Sequence, residues 1–227
     1  MALVLKGQGG TWYPTPVDHL NRHLAQLFQP IRGVSNRRCW AITKNLSYTL
    51  QYLEFTARII SDIPLSSVLL AQTIKSFVIH GCAVVEAIFF YVLAKAGKHA
   101  QTDWVSTTKS NSQFTLNGKD YRVEMQYLEK LAEPSFTEMT FDAMCKKVES
   151  NHLVKLPNDF YKSLPYLRAL RNRIHLHALE NYADSDYNKF GLKDPELMKK
   201  ILKALLTSEL FPEPRTHANL GFLDHGA

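Results

Sequence analysis

The chain has 227 residues, 45% hydrophobic and 21% charged, enough to bury one sizeable core and too few for two full domains. Its 27 Lys and Arg against 21 Asp and Glu give a formal charge of +6, which favours an anionic partner, with nucleic acid the first candidate. Cys39, Cys82 and Cys145 are widely separated with no C-x-x-C pair, so they fit neither a disulfide framework nor a zinc site, and reduced thiols in a cytoplasmic protein are expected.

Residues 1–38 are rich in Gly, Pro and Arg. They carry no basic region followed by a long apolar core, so no signal peptide is expected. An irregular start and a short helix over 16–28 are the reading. Over residues 40–60, Ile42, Leu46, Leu50, Leu53 and Ala57 recur close to helical spacing. Pro64 closes that helix, because the residue before a proline is disfavoured in the helical region.

Residues 66–96 read as a long helix, apolar on most sides, closing at Gly97 in the manner of a C-terminal glycine cap. A helix apolar nearly all round belongs in the middle of a bundle or in a subunit interface. Its most apolar part, 77–93, is interrupted by His80 and Glu86, whereas a bilayer span needs about 20 uninterrupted apolar residues. No membrane segment is expected. Glu86, inside that apolar surround, calls for an arginine on a neighbouring helix, because buried charges are normally paired.

Residues 104–127 change character. Asn117-Gly118 lies between two β-prone runs, a strong hairpin signal, and residues 104–108 are a candidate third strand. The insertion reads as a cover over a hydrophobic edge or as an arm toward a substrate or partner. Ser135-Phe136-Thr137-Glu138 has the form of a capping box, with a helix through about Ser150. Residues 158–180 read as helix, Pro165 marking a kink or a fresh start. Asp194-Pro195-Glu196 starts an amphipathic helix with Leu197, Ile201 and Leu205 on its apolar side, running to about Leu210. From Phe211 the tail reads as irregular. The expected organisation is an N-terminal helical extension over 1–65, a mainly α bundle over 66–210 with the hairpin inserted, and a tail over 211–227.

Chemistry concentrates in one place. Arg168, Arg171, Arg173, Asn172, His175 and His177 fall within ten residues. Arginine offers bidentate donors to phosphate oxygens, and histidine is the side chain most easily poised for proton transfer near neutral pH. On one helix, Leu167, Leu170, Ile174 and Ala178 form the core stripe. Arg168, Arg171, Asn172 and His175 form the adjacent stripe, with His177 on the other flank. The bland alternative is a solvated basic face. Two histidines two apart point to different sides of a helix, so no metal site is expected, and no cofactor.

At these residues the chain resembles the HEPN-domain family, compact helical bundles common in prokaryotic defence and toxin systems. Residues 167–177, Leu-Arg-Ala-Leu-Arg-Asn-Arg-Ile-His-Leu-His, are similar to that family's signature helix, an Arg, commonly followed by Asn, Asp or His, and a His after four to six intervening residues. Arg171-Asn172 with His177 matches, as does Arg168 with His175; Leu176 occupies the commonest histidine position. The helix carrying Glu86 is similar to the family's first long helix, which often bears an acidic residue. The resemblance implies an antiparallel HEPN-like bundle and a metal-independent endoribonuclease acting on RNA as a toxin or antiviral defence effector. It implies a homodimer with a composite site, and an antitoxin or other defence-system partner protein. Under it Arg171, Asn172, His177 and His175 are catalytic candidates, Arg168 and Arg173 substrate-binding ones, and Glu86 a supporting residue. The alternative is a non-catalytic module of the same fold that binds RNA, a nucleotide or a protein.

Overall fold

The computed structural model describes residues 12–174 and 182–224. The chain is mainly α-helical, with one two-stranded antiparallel sheet among the described residues. Helix α1 (Val17–Leu24) leads into α2 (Asn36–Asp62), which starts a turn earlier than its apolar spacing suggests. Ser35 explains the early start: its Oγ accepts a hydrogen bond from Arg38 N (3.2 Å), capping the first turn.

Helix α3 (Ser67–Lys95) is the centre of the molecule, and α2, α4, α5, α6 and α7 all pack on it. Phe77, Val78, Val84, Val85, Ile88, Phe89, Tyr91 and Leu93 are buried all round its circumference, which is why its sequence shows no polar face. It is long and apolar enough to cross a membrane, and 67% of its most apolar window is buried inside the protein. Gly97, at φ +65°, ends it. Lys98 N then reaches back to Leu93 O (2.8 Å), a closure that needs the left-handed backbone of a glycine.

The hairpin is longer than its sequence suggests. Strand β1 (Gln101–Leu116) and strand β2 (Lys119–Phe136) pair in register from Leu116↔Lys119 to Gln101↔Phe136, with irregularities between Thr102 and Trp104 and between Ser106 and Thr108. Asn117 and Gly118 both have positive φ (51° and 71°), the geometry of a tight hairpin turn. Residues 104–108 belong to β1 and form no third strand. Nor is the hairpin a cover: nearly all its side chains are exposed, so it stands away from the bundle as an arm. Ser135 and Phe136 lie in β2, so the expected capping box is absent. The cap is Thr140, whose Oγ1 accepts from Ala143 N (3.2 Å) at the start of α4 (Phe141–Ser150).

Helix α5 (Asn158–Asn172) contains Pro165 in its interior. Beyond the short α6 (Asp186–Lys189), α7 (Lys193–Leu206) buries Met198, Ile201, Leu202, Leu205 and Leu206. It stops a turn before Leu210. The segment after it is packed, not loose. Phe211 is fully buried and stacks on His23 of α1 at 4.6 Å, helix α8 (Pro214–His217) follows, and Leu220 and Leu223 enter the core. One hydrophobic core runs through α1, α2, α3, α4, α5 and α7 and takes in Phe211, Leu220 and Leu223.

Candidate active site

The end of α5 builds the site. Leu164, Leu167 and Leu170 bury one side of the helix, which turns Arg168, Arg171 and Asn172 toward an open cleft between α3, α4 and α5. That cleft is lined by Glu86, Glu138, Thr140, Asp142 and these three residues. The arginine expected beside Glu86 is Arg171: its Nη2 donates to Glu86 Oε2 at 3.1 Å. Arg168 pairs with Asp142 at the start of α4, and Lys146 joins the same carboxylate at 2.8 Å. Hydrogen bonding from Lys146, reinforced by the Arg168 and Lys146 charges, holds the Asp142 carboxyl below its ordinary value. Both arginine side chains are 36% exposed, so neither guanidinium is sealed off from an incoming anion.

Arg173 points elsewhere. It lies in a buried cluster with Asp186 of α6, Nε to Oδ1 3.6 Å, while Lys75 of α3 donates to Asp186 Oδ2 at 2.8 Å and Gln72 to the same oxygen at 3.0 Å. Burial raises the Asp186 carboxyl, but the bonds from Lys75 and Gln72 and the two cationic charges outweigh it and hold the group below its ordinary value. A guanidinium only 14% exposed, held by an internal carboxylate, ties α5 to α6. It is not a substrate ligand in this cleft.

The helix itself ends sooner than expected. Past Asn172, Arg173 N bonds Leu170 O and Ile174 N bonds Arg171 O, so the chain closes as a turn. Ile174, expected in the core stripe, is 53% exposed as a result. The single helix on which His175 was placed beside Arg171 is described only as far as Asn172. His175 and His177, together with Ala178, lie outside the described residues.

Three residues were not read as site residues from the sequence: Glu138 and Asp142 in the cleft, and Arg38 in an adjoining groove. That groove shares Glu86, Glu138 and Met139 with the cleft and is lined by Ile42, Phe90, His99 and Phe136. Arg38 lies over the Phe90 ring at 4.9 Å, placing a cation and aromatic rings next to the arginines. Only Asp142 had a local signal, as an acidic residue in the first turn of α4. Cys82 and Cys145, near the cleft, are pushed up to about 12 by burial, which makes them poor nucleophiles. Among the described residues, no group of three or more His, Cys, Asp or Glu is arranged to hold a metal.

Compared with protein-family models, curated proteins and solved structures, the chain matches none.

Proposed function

We propose that this chain is a HEPN-type, metal-independent endoribonuclease, and that the cleft at the end of α5 is its active site. The observation that carries the reading is the convergence of Arg168, Arg171 and Asn172 on one open cleft, with Glu86 from α3 orienting Arg171. Arg171 and Arg168 hold the scissile phosphodiester by charge-assisted bonds that strengthen as charge develops on the phosphoryl oxygens. His177 or His175 takes the proton of the ribose 2′-hydroxyl, whose oxygen attacks phosphorus. The bond from phosphorus to the 5′-oxygen breaks, the 5′-oxygen takes a proton from an opposing group or water, and the histidine later returns its proton to solvent, leaving a 2′,3′-cyclic phosphate. The need for a 2′-hydroxyl makes RNA the substrate. A second protomer supplies the opposing groups in a composite site, and the biological setting is a toxin or defence effector with a neutralising partner protein.

A second reading is favoured by one observation: each of the three arginines already has a carboxylate partner, Asp142, Glu86 or Asp186. On that reading the chain is a non-catalytic helical module that binds RNA, a nucleotide or a protein. Incubating the purified chain with total RNA in EDTA decides between them. The nuclease cleaves without metal and leaves cyclic phosphate ends, and a His175→Ala/His177→Ala variant does not. Binding without cleavage by the unmodified chain would favour the module.

A further inference from the structure

The hairpin arm has two different faces. Beyond the irregularity near Ser106 and Thr108, the pairing puts Phe114, Leu116, Tyr121, Val123, Met125 and Tyr127 on one face, and Lys109, Asn111, Gln113, Asp120, Arg122 and Glu124 on the other. The six apolar side chains are each between 42% and 55% exposed. A two-stranded hairpin is at best marginally stable alone in water, and one with an uncovered apolar face needs something to pack against. Nothing in the described bundle covers this one.

We infer that the apolar face of the arm packs face to face against the same face of a second copy of this chain. Three observations name that occupant. The first is area: six half-exposed side chains of this size offer roughly 600 Å² per copy and about 1,200 Å² over two, the lower bound of a specific interface.

The second is shape. The row Tyr121, Val123, Met125 and Tyr127 lies on β2; Val123, Met125 and Tyr127 face the small Ser112, Ser110 and Thr108 of β1, while Tyr121 stacks on Phe114 nearest the turn. A two-fold axis parallel to the strands sets β2 of one copy over β1 of the other. Bulky rows then drop over small ones, and the surface is complementary to itself. The third is charge. The arm carries Lys109, Lys119, Arg122 and Lys130 against Asp103, Asp120, Glu124, Glu129 and Glu133. It has no cationic excess to attract nucleic acid or an anionic membrane. This pairing does not rest on the nuclease reading.

Sedimentation or light scattering of the full chain at about 10 µM tests it. The unmodified chain should run at twice its 25.9 kDa. Tyr121→Lys/Met125→Lys should weaken association about a hundredfold, while Asn111→Lys/Gln113→Lys, the same charge change on the opposite face, leaves it intact. A chain that is monomeric at 100 µM, which would leave the face to a lipid or another protein, overturns the inference. So does a dimer indifferent to Tyr121→Lys/Met125→Lys. Hydrogen exchange on the unmodified chain needs no variant: the amides of residues 110–125 that bond across the hairpin should be protected at 100 µM, and free-peptide exchange rates at those amides would overturn it as well.

Discussion

Three arginines within six residues have three different settings, and their partners decide their roles. Arg173 and Lys75 share a buried Asp186, and removing that carboxylate strands two cations away from water. Asp186→Asn should therefore cost about 3 kcal/mol of stability, read as a lowered urea midpoint with unchanged slope. Because the Asp186 carboxyl is held below its ordinary value, its contribution is present above 3.8 and fades as pH falls below that. His23 has the opposite charge logic. Burial, aided by the neighbouring His217, lowers it from 6.5 to about 4, so the folded state resists a proton that the unfolded chain accepts. Stability should fall as pH drops from about 6.5 to about 4, by up to about 3 kcal/mol. Thermal melts across that range should show the slope, and His23→Gln should flatten it.

At the scale of elements, close approach fixes how α3 meets α7. A Cβ on Gly81 would lie 2.5 Å from Met198 Cγ and Sδ. Alanine there gains helix propensity of about 1 kcal/mol but overpacks the contact by about 1–3 kcal/mol. Gly81→Ala should be net destabilising in chemical denaturation, and less so when Met198 is already alanine. The elements also show which sequence signals are readable. The C-terminal ends of α2 and α3 were legible because Pro64 and Gly97 act locally, whereas the start of α2 at its Ser35 cap lies a turn before the apolar spacing. The full hairpin was not, because the irregularities near Thr102 and Thr108 break the alternation that marks a strand, and Ser135 to Glu138 imitate a cap. No Gly or Pro marks the stop of α5 after Asn172. The packing of Phe211, Leu220 and Leu223 depends on α1 and α7, partners distant in sequence. The site divides in the same way: Arg168, Arg171 and Asn172 were legible as a polar stripe beside a core stripe, and Glu86 as a carboxylate inside an apolar helix. Asp186 and Arg38 became visible only through tertiary contacts, and Asp142 had no more than its place in the first turn of α4.

For the whole molecule, the bundle sets a cleft with two partly exposed arginines at the end of one helix, and an arm stands apart from it. On the proposed function, this cleft cleaves RNA through Arg171. The direct measurement is the initial rate of RNA cleavage in EDTA for the unmodified chain, Arg171→Ala and Asn172→Ala, with a denaturation curve for each. Arg171→Ala should lower the rate by at least about a hundredfold, as loss of one transition-state donor does. It should cost only about 1 kcal/mol of stability, since the Glu86 pair is partly exposed. Asn172→Ala should lose less activity. Full cleavage by the Arg171→Ala chain, or cleavage that stops when metal is chelated, would mean that this helix is a structural basic face.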